Sequence, residues 1–315
     1  MSDNSTILSL CIPTYNRASV LDEALGKIVS YDSFDETVEI VISDNCSNDN
    51  TQEVGMRYAS QYSNIKYYRN QENILDRNFA KVLDLGVGRY LKLQNDWCLP
   101  TEDGLAKMKQ FLMANIDAKK PVFFTSGWAR SKNTEIIDCS NLDEYIGEMS
   151  IMVTFNNVFG TWRTDWEKLK NKERYSKLKL LQVDWTYSLV GNRGALLYNS
   201  QTLLFLDSML RSVRSGYNYF EVMLDNYYTI MEQYVEQGLV SQSALARDKK
   251  YFLKRFRPEL FQALICRTAS LWQYDTTGTW NRMFKHYKKK AYFYVFVITL
   301  PFQWFFHASV RNFGR

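Results

Sequence analysis

Three short polar clusters, each directly after an apolar run, carry the side chains best suited to bind a ligand. They are Pro13-Thr14-Tyr15-Asn16-Arg17, Asp44-Asn45 and Asn95-Asp96. A carboxylate accepts hydrogen bonds from a base or a ribose hydroxyl, an aromatic ring stacks on either, and a guanidinium neutralises phosphate. The clusters therefore predict a nucleotide site with Tyr15, Arg17 and Asp44 as contacts. Asp96 would bind a hydroxyl or a divalent cation that bridges a diphosphate.

The apolar runs before these clusters are predicted strands that alternate with amphipathic helices. The predicted strands are Ile7–Ile12, Val38–Ile42, Ile65–Tyr68, Tyr90–Gln94 and Pro121–Thr125. The helices are expected over residues 20–29, from about Thr51, over residues 76–85, and from a cap at Thr101 to about Met113. This alternation predicts right-handed βαβ units and a mostly parallel sheet. Since parallel strands end at one edge, the three polar clusters are expected to converge there.

The sequence also excludes several functional classes. It contains neither GxGxxG nor GxxxxGK[ST], so a dinucleotide-binding Rossmann enzyme and a P-loop NTPase are not expected. The two histidines, His286 and His307, lie near the end, so acid–base chemistry in the body of the chain falls to carboxylates, Lys, Tyr or Cys. Five scattered cysteines without a CxxC pair, and no signal-peptide pattern, predict a reduced cytosolic protein without disulfides.

Four motifs follow one another along about residues 6–115. They are Ile12–Arg17, Val38–Thr51, the asparagines Asn70, Asn73 and Asn78, and Gly88-Arg89-Tyr90, which opens the strand before Asn95-Asp96. In this order they resemble family 2 glycosyltransferases of the GT-A fold, with Ser43 in place of the first acid of the second motif. Further along, Val183-Asp184-Trp185 and Gly216-Tyr217-Asn218 are similar to positions in bacterial O-antigen and capsule sugar transferases of the abequosyltransferase-like kind.

The resemblance implies an inverting transfer of a sugar from a nucleotide-diphosphate donor to an acceptor hydroxyl. The donor contacts it implies are Pro13, Thr14, Tyr15, Arg17, Asp44, Asn78, Asn95 and Asp96. A carboxylate would deprotonate the acceptor. Asp184 is the predicted base because it follows a mainly apolar segment and is flanked by Val183 and Trp185, with Asp165 and Asp225 as alternatives.

The resemblance also implies a divalent cation, Mg²⁺ or Mn²⁺, with Asp96 as its ligand. Trp97 stands where the family commonly has a second cation-binding aspartate, and an indole cannot ligate a cation. Three interpretations follow: Asp96 holds the cation with the diphosphate and water, Lys or Arg replaces the cation, or activity is lost. The last makes the chain a catalytically silent GT-A domain that serves as a membrane-tethered assembly partner.

The second half of the chain is predicted to be helical from about Ser208 to Ser270, with Gly238 at a helix end. The expected fold class is thus α/β, a GT-A domain over residues 1–205, followed by a mainly helical C-terminal region. That region comprises a helical subdomain over residues 206–283 and a basic, aromatic tail over residues 284–315.

The tail joins a basic segment to an uncharged run over residues 291–310. Residues 240–315 contain 14 Lys and Arg but three Asp and Glu. This pattern predicts an anchor lying in the plane of an anionic membrane surface; a spanning helix and a helix docked on the protein are the alternatives. Nucleic acid is not an expected partner, because the basic residues adjoin a continuous apolar run. A membrane anchor fits a polyprenyl-linked saccharide acceptor and a peripheral position on the cytoplasmic face of the bacterial inner membrane.

Overall fold

The computed structural model describes residues 6–117, 120–206, 216–266 and 274–302. The chain divides into two compact units, Met1–Ser212 and Val213–Arg315. The first contains the sheets and their helices. The described part of the second is mainly helical.

The first unit is an alternation of strands and helices. Its elements are β1 (Leu8–Thr14), α1 (Ala18–Ile28), β2 (Val38–Asp44), α2 (Thr51–Gln61), β3 (Ile65–Arg69), α3 (Arg77–Leu85), β4 (Tyr90–Leu93), β5 (Cys98–Pro100), α4 (Glu102–Ala114), β6 (Val122–Phe124), β7 (Ile136–Cys139), α5 (Leu142–Met149), β8 (Gly160–Trp162), α6 (Arg163–Lys168), α7 (Leu181–Val190), β9 (Ala195–Tyr198) and β10 (Leu203–Phe205). Short 3-10 turns cover Ser150–Thr154, Asn156–Val158 and Ser176–Leu178.

The central sheet has the strand order β3-β2-β1-β4-β8. The first four strands run parallel, and β8 runs antiparallel to β4. All residues of β2 and β4 are buried, as expected for parallel strands covered on both faces, and the buried residues include the charged Glu39 and Lys92. The predicted mostly parallel sheet and its alternation with helices are confirmed, and Thr101 caps α4 by accepting a hydrogen bond from the Gly104 amide.

One predicted strand belongs to a different sheet. Residues 122–124 are extended, but they pair with β9 in a separate three-stranded sheet of order β6-β9-β7. The fifth strand of the central sheet is instead the short β8. The two sheets meet at Tyr90, whose ring packs edge-on against Phe124 and Trp162 and whose hydroxyl donates to the Val122 carbonyl at 2.7 Å. No local sequence pattern predicts this packing, because its residues are far apart along the chain.

A glycine permits the entry into β4. A Cβ atom at Gly88 would lie 2.6 Å from the Ser9 Oγ and 2.8 Å from the Ser9 amide nitrogen. Any larger residue would push β4 away from β1. Gly88 is thus required for the sheet position of the strand that ends in Asn95-Asp96.

The described part of the second unit is built mainly from helices and helical turns. They are a π-helical turn (Glu221–Asn226), α8 (Tyr227–Glu236), α9 (Gln242–Arg255), α10 (Arg257–Phe261), a second π-helical turn (Gln262–Cys266), α11 (Thr279–Tyr287) and α12 (Ala291–Thr299). Gly238 adopts a φ of 73° just after α8, as predicted for a helix end. The predicted helical character is confirmed for the described residues; residues 208–215 and 267–270 lie outside them.

The tail begins inside this unit. Helix α12 buries Phe293 and Phe296 and exposes Tyr294, Val295 and Ile298. Among the helices that the structure describes, none is both long enough and apolar enough to cross a bilayer. Residues 303–315 of the predicted tail, including His307, lie outside the described residues.

Candidate functional site

Asp96 lies at the carboxyl edge of the central sheet, between β4 and β5. One of its carboxylate oxygens accepts a hydrogen bond from the Thr14 hydroxyl at 3.0 Å, and the other pairs with the Arg17 guanidinium at 3.0 Å. Asp96 is only 3% exposed, whereas 37% of the Arg17 side chain is exposed. Burial raises the pKa of the Asp96 carboxyl, and Arg17 and Thr14 act in the opposite direction. The predicted meeting of the first and third polar clusters is therefore present.

A second Arg–Asp pair lies on the neighbouring strands. Asp44, at the end of β2, is fully buried and accepts hydrogen bonds from the Ser47 amide and hydroxyl, the Tyr67 hydroxyl and the Arg69 guanidinium. Arg69 also donates to the Ser47 carbonyl, and its guanidinium lies 3.7 Å from the Cys46 sulfur. The carboxylate thus shapes the loop after β2 and holds a half-exposed guanidinium at the edge.

The predicted asparagines form a network behind this edge. Asn78 is 2% exposed, accepts from the Ser43 hydroxyl and from Asn70, and donates to the Ser43 carbonyl. Asn45 donates to Asn73 and accepts from Asn70. These side chains join the end of β2 to the loop before α3.

The turn that carries Asp96 is held by a buried asparagine. Asn157 accepts from the Asn95 amide at 2.9 Å and donates to the Cys98 carbonyl at 2.6 Å, on either side of Asp96. Its own carbonyl accepts from the fully buried Lys92 ammonium. Burial lowers the pKa of Lys92 to about 7.

The remaining predicted donor contacts lie at the end of β1 and in the loop that follows it. Pro13 and Thr14 are in β1, and Tyr15 follows with 39% of its surface exposed. The loop folds over the second cluster, since the Asn16 amide donates to the Ser47 hydroxyl and the Asn45 amide to the Thr14 carbonyl. All three polar clusters therefore meet at one edge.

Trp97, the residue after Asp96, packs against aromatic rings of other segments. Its centroid lies 5.8 Å from Phe155 and 5.7 Å from Phe205. Trp128 packs on Phe155 at 4.7 Å. Trp97, which stands where an acid was expected, thus packs against other aromatic side chains.

The predicted base and its alternatives are all ion-paired. Asp184, in α7, is 3% exposed and receives two hydrogen bonds from Arg174, with the Nε–Oδ2 distance 2.9 Å. Asp165 pairs with Arg193. Asp225, in the second unit, pairs with Arg282, Lys285 and His286, and these three partners hold the pKa of its carboxyl well below the ordinary range despite its burial.

The edge is a poor fit for a preformed cation site. Among the described residues, no three His, Cys, Asp or Glu side chains group closely enough to hold a metal ion. Asp96 is a single carboxylate whose two oxygens already accept hydrogen bonds. A cation bound there would compete with the Arg17 guanidinium for the single carboxylate.

Comparison with known proteins decides the family. The model of a family described as glycosyl transferase family 2 matches residues 9–180, more than half of the 315 residues. The chain belongs to glycosyl transferase family 2. The match contains the edge that carries Thr14, Arg17, Asp44 and Asp96, and it ends just before α7.

Two curated relatives match this family 2 chain over about a third of its length or less. Abequosyltransferase RfbV of Salmonella typhimurium is 40% identical over 103 residues, which is 32% of this chain and 29% of RfbV. The GalNAc(5)-diNAcBac-PP-undecaprenol beta-1,3-glucosyltransferase of Campylobacter jejuni is 38% identical over 91 residues, 28% of this chain and 29% of that protein. The matched segment spans less than a third of either relative.

Solved structures show the fold. Residues 1-349 of S. aureus TarS superpose with a TM-score of 0.53 at 13% identity, covering 82% of the family 2 chain and 75% of that fragment. The same fragment in complex with UDP-GlcNAc gives a TM-score of 0.52 at 14% identity, with 82% and 76% covered. The predicted GT-A fold with a helical C-terminal region is confirmed.

Sequence reasoning missed Arg69, Asn157 and the rings around Trp97. Arg69 could have been found, because it ends β3 at the same edge as the three clusters. Asn157 and the rings lie far from Asp96 in sequence, and no local spacing points to them.

Proposed function

We propose that this chain is an inverting glycosyltransferase that moves a sugar from a nucleotide-diphosphate donor to a hydroxyl of a lipid-linked saccharide. The observation that supports it best is the row of two Arg–Asp pairs, Arg69–Asp44 and Arg17–Asp96, along the carboxyl edge of the parallel strands. Half-exposed guanidiniums held by buried carboxylates suit an anionic ligand at this edge.

In this proposal the nucleoside lies along the ends of β3 and β2, and Tyr15 packs against it. Arg17 moves from Asp96 to the diphosphate or bridges both groups. Its positive charge stabilises the nucleoside diphosphate that leaves with the electrons of the broken glycosyl–phosphate bond. Since the Arg17 guanidinium supplies positive charge to the diphosphate in this proposal, the proposal needs no cation, and titration with Mn²⁺ tests this.

The acceptor hydroxyl attacks the anomeric carbon from the face opposite the diphosphate, which inverts the configuration. Its proton passes to Asp184. Arg174 holds both oxygens of that carboxylate, so it fixes the orientation of the base. An acceptor hydroxyl must then share one oxygen with the guanidinium.

A membrane-linked acceptor is supported by the names of the relatives and by α12. The Campylobacter relative is named for a saccharide on undecaprenol diphosphate, and the Salmonella relative for transfer of abequose. Helix α12 exposes Tyr294, Val295 and Ile298, and Lys288, Lys289 and Lys290 directly precede it. We assign this surface to peripheral contact with the anionic cytoplasmic face of a bacterial inner membrane, for a role in surface polysaccharide synthesis.

Calorimetric titration with UDP-, GDP-, dTDP- and CDP-sugars, with Mn²⁺ and with EDTA, tests the donor half. One nucleotide should bind, and Arg17→Ala should weaken it about tenfold, the value of one charge-assisted contact. Arg163→Ala, which removes an arginine of α6 paired with Glu167, is the control. Lack of binding to every donor in both buffers would overturn the proposal.

Trp97 favours a second candidate, a catalytically silent GT-A domain that acts as an assembly partner on the membrane. The glycosyltransferase transfers sugar to an acceptor, whereas the silent domain does not. A chain that binds a nucleotide-sugar but neither hydrolyses nor transfers the sugar, with membranes that contain lipid-linked saccharides present, would support the second candidate.

A further inference from the structure

Four aromatic rings from separate parts of the first unit meet beside Asp96. They are Trp97, Trp128, Phe155 and Phe205, here called the aromatic cluster. The ring centroids of Trp97 and Phe205 lie 5.7 Å apart, those of Trp128 and Phe155 4.7 Å, and those of Phe155 and Phe205 6.2 Å. Trp128 and Phe205 are 6.4 Å apart. Each ring thus contacts at least two of the others.

The aromatic cluster is not a closed core. Phe205 is 41% exposed, and the other three rings are half-buried against the core of the first unit. A group of rings that keeps this much apolar surface in water is a typical mark of a binding site.

Amide groups border the rings. The Asn156 amide nitrogen lies 3.5 Å from the Asn95 side-chain oxygen, at the limit of a hydrogen bond. Asn95 precedes Asp96, and Asn156 follows Phe155. Polar hydrogen-bonding groups beside aromatic faces are the combination that binds a pyranose, whose hydroxyls need partners and whose axial C–H groups form an apolar face.

The position of the aromatic cluster at the edge of the sheet indicates whether it contacts the donor sugar or the acceptor sugar. Arg69, Asp44 and Thr14 end β3, β2 and β1, and Asp96 follows β4. The two Arg–Asp pairs, here called the charged row, therefore extend across four adjacent strands. The aromatic cluster starts at the next residue, Trp97, and continues onto β10, which pairs with β5. A donor that lies along the charged row would place its sugar end at Asp96, next to the rings.

We infer that the aromatic cluster binds the acceptor saccharide, with a pyranose ring stacked on Trp128 and Phe205 and its hydroxyls bonded to Asn95 and Asn156. The inference rests on the proposed transferase function and adds the acceptor subsite to it. Trp97 then replaces a cation ligand with part of a sugar-binding surface. With Trp97 in place of an aspartate, the turn between β4 and β5 would bind a sugar ring and not a cation.

Saturation-transfer NMR on the full chain tests the inference. The probes are the methyl α-glycosides of glucose, galactose, mannose, rhamnose and N-acetylglucosamine. At least one should receive saturation, strongest at the C–H protons of one ring face. Trp128→Leu and Phe205→Asn should each weaken its binding about tenfold, the effect of losing one stacked ring.

Trp280→Leu is the matched control, because it removes a half-buried tryptophan that packs on Phe284 in the second unit. It should leave sugar binding unchanged. Phe205 is exposed enough that its replacement should not unfold the protein, and circular dichroism checks this. Donor titrations on both cluster variants should stay within about twofold of wild type, since the substitutions leave both Arg–Asp pairs intact.

The outcomes separate the two proposals. If a nucleotide-sugar binds but no glycoside receives saturation, or saturation persists in both cluster variants, the acceptor subsite is wrong and the transferase proposal stands. If a glycoside binds at the cluster but no nucleotide-sugar binds the chain, the transferase proposal fails and its acceptor role with it.

Discussion

At the scale of single residues, the edge depends on carboxylates that are already occupied. Asp44 and Asp96 are buried and each is held by an arginine, so their charges position guanidiniums rather than face the solvent. The residues at this edge could be predicted from the sequence, because each polar cluster directly follows an apolar run along the chain. The pairing of those residues was not readable, since it depends on which strands are neighbours.

Asp44→Asn should weaken both the fold and the nucleotide site. An amide cannot accept all four hydrogen bonds that the carboxylate receives, so we expect a loss of about 2 kcal/mol in the free energy of unfolding, measured with urea. Nucleotide affinity should fall as Arg69 loses its anchor. Asp138→Asn, which alters an exposed acid paired with Lys120, is the control. A variant as stable as that control would contradict the role given to Asp44.

Asp184→Asn should lower kcat about a hundredfold or more, the usual contribution of a general base. The affinity for the donor, measured by calorimetry, should not change, because the substitution leaves Arg17–Asp96 and Arg69–Asp44, the proposed donor contacts, intact. Asp165→Asn serves as the comparison. If the melting temperature and donor affinity of Asp184→Asn fall together with kcat, the Arg174–Asp184 pair is structural and the base lies elsewhere.

At the scale of elements, the turn between β4 and β5 unites the charged row and the aromatic cluster. Asn157 holds both ends of that turn, and Lys92 holds Asn157. The order of strands and helices around it was predictable from hydrophobic periodicity and caps. The separate β6-β9-β7 sheet was not, because residues 122–124 are as apolar as a central strand and only their partner distinguishes them.

Lys92 should make stability depend on pH. Its pKa is about 7 in the folded chain and near 10.5 when unfolded, so only the unfolded state binds the proton between these values. The free energy of unfolding should then rise with pH above 7, by at most about 1.4 kcal/mol per unit. Lys92→Met should remove that rise, whereas Lys107→Met, at an exposed lysine of α4, should keep it.

Urea unfolding at pH 7, 7.5 and 8 measures how the free energy of unfolding changes with pH. The range stops at pH 8 because burial raises the pKa of Cys11 and Cys139. At higher pH the unfolded thiols would lose protons that the folded ones keep, which lowers the free energy of unfolding. An equal slope in wild type and Lys92→Met would show that the ammonium stays charged inside the protein.

At the scale of the whole molecule, the chain combines a family 2 unit with a helical unit that ends in a basic, apolar surface. The first could be recognised from ordered motifs. The second has no comparable pattern, and its helices were predictable only as helices. The proposed membrane contact therefore rests on exposed side chains of α12 and the lysines before it.

Replacing Lys288, Lys289 and Lys290 together by Gln should weaken binding to vesicles of phosphatidylglycerol and phosphatidylcholine by about two orders of magnitude, since each lysine near an anionic surface contributes about 1 kcal/mol. Cosedimentation measures the bound fraction. The control replaces Lys66, Lys81 and Lys132, three exposed lysines of the first unit. Equal binding of both triple variants would contradict the proposed membrane surface.

The sulfur of Cys46 lies 3.7 Å from the Arg69 guanidinium, so its reactivity can report on a nucleotide at the proposed donor site. Cys11, Cys98 and Cys139 are buried, while Cys266 is exposed in the second unit. Iodoacetamide footprinting followed by peptide mass spectrometry should therefore show a Cys46 label that a bound nucleotide slows, with Cys266 as the internal reference. A label on Cys46 that forms equally fast with and without a bound nucleotide would mean that the ligand lies away from the end of β3. One native thiol can thus map the donor site without any change to the sequence.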